Sequence, residues 1–257
     1  MNDLSKCLNC GFETNGNFCS NCGQKTNIHR ITFKHFIFHD LIHGLFHFDK
    51  GMLFTAKESL IRPGKAAIDY IEGKRIRYYN VFYLILVIIG LNLFLSTSYD
   101  HLSEIYTPEI SDRVSNDLGE KIEQFFSDYA KVIIFSFVPL FAINGYVLFR
   151  KRKLNLSEHF IIAGITFLGI LLVNTFSSII SFLDFTIYFD FLSDIVSFTS
   201  ILAILFIPIY SYYQTFKSFY NKRYFTIRML IFSLLLLFEL VLIAIFIIGI
   251  VSNWKFK

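Results

Sequence analysis

The sequence predicts an all-α integral membrane protein with about five transmembrane helices, preceded by a small cysteine-rich N-terminal module and amphipathic cytosolic helices. Three observations carry this. All four cysteines fall early, as Cys7-Leu-Asn-Cys10-Gly11 and Cys19-Ser-Asn-Cys22-Gly23. Beyond about residue 80 the chain is dominated by apolar runs long enough to cross a bilayer. The loops between those runs alternate in charge, as the loops of real spans do.

The cysteine spacing points to zinc. A C-x-x-C pair lets two thiolates from one tight turn face one ion, and the glycine that follows lets the backbone turn back. Two such pairs supply the tetrahedral sulfur shell that zinc prefers. The link from Cys10 to Cys19 suits a minimal hairpin turning at Asn15-Gly16. Residues 1–27 cannot bury a useful core, so the expected zinc ribbon takes most of its folding energy from the metal. Two disulfides are the alternative, which the duplicated C-x-x-C-G pattern disfavours. Four sulfurs close the shell, so Cys7, Cys10, Cys19 and Cys22 are expected to hold a structural Zn2+ and not a catalytic one. Zinc thiolates imply a reducing compartment, hence a cytosolic N-terminus. The polar N-terminus does not resemble a cleavable signal peptide.

Residues 79–257 form the expected transmembrane domain. Hydrophobic residues make up 54% of the chain and aromatics 18%, above the soluble norm. The runs place spans at about 79–97, 131–149, 159–183, 190–214 and 228–251. Residues 98–130 are strongly acidic, including Asp100, Glu104, Glu109 and Asp112, and the next loop is Arg150-Lys151-Arg152-Lys153. The loop at 184–190 carries Asp184 and Asp190 without a base, and the last carries Lys217, Lys222, Arg223 and Arg228. Positive-inside alternation then places the N-terminus in the cytosol and the C-terminus outside. Spans three and four are joined by the short apolar stretch FLDFTIYFD. A re-entrant pair and a tightly turned helical hairpin both fit it.

Residues 28–78 are expected to be a cytosolic, amphipathic and juxtamembrane region. At 31–50, Phe33, Ile37, Leu41, Leu45 and Phe48 share one helical arc, while His35, His39, His43 and His47 run along the other side. Such a helix fits the inner membrane interface. His39, Asp40 and His43 have the i, i+4 spacing of a second metal site. A plain polar face and a pH-sensing row are the other readings of the same residues. Further on, Arg62-Pro63-Gly64 breaks the helix pattern, and a short helix at 65–72 ends at Gly73. Lys74, Arg75 and Arg77 follow beside Tyr78 and Tyr79, a pattern suited to headgroup contact, either as simple anchoring or as recognition of a lipid phosphate.

These residues carry a resemblance. The order of cysteine knuckles, F-H-F-D-K-G (46–51), R-P-G (62–64), Y-I-E-G-K-R (70–75) and Y-Y-N (78–80) resembles an uncharacterised bacterial family, a domain of unknown function with a zinc ribbon joined to membrane spans. The motifs cover about residues 1–82. That family often carries proline after the Y-x-N asparagine, where this chain has Val81, so a kinked start to span one is not implied. The resemblance implies an integral inner-membrane protein with a zinc ribbon and no established activity. It marks Asp49, Arg62 and the R-P-G and G-K-R residues as the first positions to test.

Within the spans, Glu239 is an acid in hydrocarbon, expected either as a proton or cation site or as a neutral tie between helices. Asn92, Asn144 and Asn174 suit interhelical hydrogen bonds. Pro139 and Pro208 suit kinks. No phosphate-binding glycine loop, nucleophile elbow or dinucleotide fingerprint occurs, which argues against those enzyme classes. The net charge is only +4 and its cations lie at span ends, so nucleic acid is not an expected partner. The expected function is a non-enzymatic one, with the zinc ribbon docking a cytosolic partner or scaffolding a membrane assembly. A transporter, channel or lipid-moving protein using Glu239 is the alternative, and a histidine-metal membrane enzyme the third reading. The lipid bilayer is an expected partner, and a homo-oligomer stays open.

Overall fold

The computed structural model describes residues 5–27, 50–106, 136–185 and 190–251. Two short strands, β1 (Ser5–Lys6) and β2 (Glu13–Thr14), pair antiparallel with Ser5 opposite Thr14. The helices are α1 (Lys50–Ile61), α2 (Pro63–Ile71), α3 (Val81–Tyr106), α4 (Ser136–Leu148), α5 (Leu156–Ser181), α6 (Asp190–Phe216) and α7 (Lys222–Val251).

Among the described residues, four helices are long and apolar enough to cross a membrane, within 75–106, 156–185, 191–219 and 222–250. They coincide with the expected spans one, three, four and five. The second expected span corresponds to α4, whose described part is shorter, so four spans stand on length and composition where five were expected. At about 1.5 Å per residue, α5 and α6 are each long enough to traverse the hydrocarbon completely.

Charge is separated along the bundle. The backbone N–H of Lys151 donates to Tyr220 Oη at 2.9 Å, and Arg152 pairs with Glu72 at 2.9 Å. The basic loops after α4, α6 and α2 therefore meet at one end. At the other end Tyr99 Oη donates to Asp184 at 2.9 Å.

The core is aromatic. Phe149 stacks on Phe216 with centroids 4.6 Å apart, and Tyr212 lies 4.3 Å from Phe232. Such pairs add roughly 0.5–1.5 kcal/mol each beyond area burial. α5 begins with a capping box, in which Asn155 accepts from the Glu158 N–H while Glu158 accepts from the Asn155 N–H.

One arrangement is not visible in the sequence. Within the expected juxtamembrane region 28–78, α1 and α2 are built into the bundle against α5 and α6. Small residues make this possible. A Cβ on Gly169 would come within 2.6 Å of the Ser59 carbonyl oxygen, so only glycine lets α1 touch α5 there. Ala66 and Ala67, on α2, are fully buried. Gly169 lies about 20 Å along α5 from its first residue, at about 1.5 Å per residue. A window of sequence around residues 51–78 cannot show this, because the surface that receives it lies a hundred and more residues further on.

Candidate functional site

Two equivalent knuckles bring the cysteines together. In the first, the Gly11 N–H donates to the Cys7 carbonyl at 2.8 Å, and the Cys7 N–H donates to the Phe12 carbonyl at 2.8 Å. In the second, Gly23 to Cys19 and Cys19 to Gln24 repeat both distances. Gly11 and Gly23 have φ of 75° and 73°, the left-handed region that the turn demands. The sulfurs of Cys7 and Cys22 are 3.6 Å apart, as are those of Cys10 and Cys19, and all four ligand atoms lie within 4.8 Å of one another.

These distances fit a tetrahedral sulfur site. Sulfurs about 2.3 Å from a shared zinc would be about 3.8 Å apart, whereas a disulfide needs about 2.05 Å. The four cysteines are free thiols and can hold a metal ion. When bound, the ion would supply structural cross-linking and leave no position open for substrate.

The second residue pair in the knuckles matters as well. Asn21 hydrogen-bonds the Cys10 sulfur and Asn9 the Cys22 sulfur, so each knuckle supports a thiolate of the other. The Phe12 backbone N–H, followed by Asn21, holds the Cys10 thiol down to about 6. Asn9 and the Gln24 N–H also lower that of Cys22, while burial pushes that of Cys19 up to about 11. The repeated C-x-N-C spelling carried this signal, and spacing alone does not read it.

The module is fastened to the bundle. Gln24, only 3% exposed, accepts from the Ile76 N–H through Oε1 at 3.3 Å. The Arg77 guanidinium reaches the Asn9 carbonyl at 3.5 Å, and Leu8 packs onto Gly73. Replacing Gln24 with alanine should cost about 1 kcal/mol at this contact. Limited proteolysis after residue 24 should then run about fivefold faster; unchanged cleavage would mean the contact does not hold the module.

Lys74 pairs with Asp69 at 2.6 Å, and Arg75 lies over the Tyr70 ring at 5.6 Å. With Arg77 on Asn9, all three proposed headgroup cations have a partner inside the protein. Arg62 is paired with Glu58 at 2.5 Å, a carboxylate buried in the bundle. His39, Asp40, His43 and Asp49 lie outside the described residues.

Glu239 faces a partner across the bundle. Asn144 Nδ2 donates to its Oε1 at 3.0 Å and its Oε2 at 2.9 Å. Asn92 likewise donates to Thr175 at 2.8 Å and accepts from Asn174 at 3.0 Å. Glu239 also borders a cavity of about 500 Å³ between α4, α5, α6 and α7, lined mainly by Phe, Leu and Ile and including Pro208. Asn144→Leu should lower thermal stability in detergent by about 1 kcal/mol, whereas Glu239→Gln keeps an acceptor and should lower it less. Equal losses would show that the pair is not the relevant contact.

Residues 49–91 match a family model described as a protein of unknown function (DUF3667). No curated protein and no solved structure matches the chain significantly. The matched segment contains α1, α2 and the first part of α3, with the Arg62-Pro63-Gly64 junction and the surface that receives Gln24. The similarity therefore covers the part of the chain that joins the cysteine module to the spans, and it lies with an uncharacterised family.

Proposed function

We propose that the chain is a non-enzymatic protein of a bacterial inner membrane, with a cytosolic N-terminus and a Zn2+-stapled ribbon that docks a cytosolic partner. The closed four-sulfur set supports a structural role for the metal. The observation that carries the reading is the seat of the module. It is fastened through Gln24 and Leu8 at the basic end, while Phe12 and Phe18 stay 50% and 65% exposed. Basic loops face the cytosol in the positive-inside pattern, which supports the orientation.

Photo-crosslinking in intact cells tests this. A crosslinker at Phe18 should give a discrete protein adduct that disappears when Cys22→Ser is added. A crosslinker at the exposed Tyr224 should not give that adduct. Only lipid or scattered adducts from Phe18 would overturn the docking role.

A second reading is favoured by one specific observation, the Asn144–Glu239 pair beside an apolar cavity. On that reading the bundle moves an ion or a lipid. Glu239→Gln would then abolish flux in proteoliposomes at unchanged expression, and an indifferent variant would dismiss it.

A further inference from the structure

A different cavity, of about 260 Å³, lies at the basic end where the start of α2, the 150–152 turn and the end of α6 meet. Its lining includes four cations, Arg62, Lys65, Arg152 and Lys217, and no carboxylate. They come from three segments far apart in the sequence. Scattered bases at span ends satisfy the positive-inside rule without converging; these converge on one space.

The two kinds of cation are prepared differently. Both arginines are fixed. Arg62 is held by Glu58 at 2.5 Å. Arg152 is held by Glu72 at 2.9 Å, by the Thr215 carbonyl at 3.1 Å and by the Phe219 ring, 4.5 Å from its guanidinium carbon. Its side chain is only 14% exposed. The lysines are exposed and adjustable, with Lys217 resting over the Tyr213 ring. The two acids offset the two arginines, so the lysines leave about two positive charges in excess. α2 also points its N-terminus here, with Pro63 in its first turn and no side-chain cap. The Gly64 N–H is aimed at Gln214 Oε1, at 3.2 Å. A helix N-terminus adds favourable potential for an anion.

We infer that this cavity binds the phosphoryl group of an anionic ligand, held by Lys65 and Lys217 between pre-positioned Arg62 and Arg152. Fixed guanidinium groups with mobile ammonium groups suit a tetrahedral, multiply charged oxyanion. The phosphoryl group has two possible sources, a lipid headgroup at the membrane face and a soluble phosphate.

The test uses the full-length protein in neutral detergent, with dioctanoyl phosphatidic acid, inorganic phosphate and dioctanoylglycerol as probes. Binding is read by native mass spectrometry and thermal shift. Phosphatidic acid should bind and dioctanoylglycerol should not. Lys65→Gln with Lys217→Gln should weaken binding about tenfold or more. Lys222→Gln with Arg223→Gln removes the same charge nearby and should change it less than about twofold. Both double variants alter exposed side chains, so folding is retained. If inorganic phosphate binds as tightly as the lipid, the source is soluble; if only the lipid binds, it is a headgroup. Equal weakening by the two double variants, or no binding of either phosphate, overturns the site.

Discussion

Replacing Gly64 with valine will sharply reduce assembly of the bundle. A Cβ at this position would collide with the Ser211 carbonyl oxygen and come within 2.7 Å of both Gln214 Cβ and Thr215 Oγ1. Two of these atoms belong to the backbone or to the stem of a side chain, so neither can swing away. The contact lies between α2 and α6, and Arg62 and Pro63 are set by the same seat. Overpacking typically costs about 1–3 kcal/mol. With a backbone obstacle the upper part of that range applies, and folded yield in detergent should fall tenfold or more. Gly90→Ala is the control, because a Cβ there meets nothing within 4 Å. It should leave yield unchanged or improve it slightly, since alanine is the better helix former. Similar losses from both variants would show that Gly64 is not special.

Replacing Cys22 with serine will unfold the N-terminal module while sparing the membrane bundle. β1 and β2 have two residues each, and the module's buried apolar residues are its own Cys7 and Cys19. Structural zinc in such small modules contributes on the order of 10–16 kcal/mol. Nothing else in residues 5–27 approaches that. Metal content should fall from about one per chain to near zero, and residues 5–27 should become protease-sensitive. The aromatic core around Phe149 and Phe216 does not involve the module, so the bundle should keep its thermal transition to within about 1 kcal/mol. A variant that still carries metal, or a bundle that collapses with the module, would contradict this division.

Retention of metal should also depend on pH in one direction. The ligands bind as thiolates, so falling pH returns protons and releases the ion. Chelator extraction should be faster at about pH 5 than at about pH 8. The reverse order would exclude thiolate ligation.

Local patterns were legible in the sequence and distant ones were not. Cys7, Cys10, Cys19 and Cys22 could be assembled from spacing because each knuckle closes within five residues. α3, α5, α6 and α7 could be read from run length because hydrocarbon thickness sets it. Arg62-Pro63-Gly64 could be read as a break, but its reason could not, since Ser211 and Gln214 lie about 150 residues away. The same separation hid the cavity that joins Lys65, Arg152 and Lys217. Nothing in the local sequence marks Gln24, and only the docked position of Ile76 reveals it as the fastening point. Asn144 was legible as a polar group suited to a neighbouring helix, and Glu239 as an acid needing a partner. That each is the partner of the other depends on how α4 and α7 pack.

The measurement that tests the central claim most directly is zinc K-edge X-ray absorption on the purified full-length protein. A metal-stapled knuckle at the end of a membrane bundle predicts about one zinc per chain, with four sulfur neighbours at about 2.3 Å and no nitrogen or oxygen in the shell. A shell containing imidazole or water, or a metal-free protein whose cysteines are paired as disulfides, would contradict it.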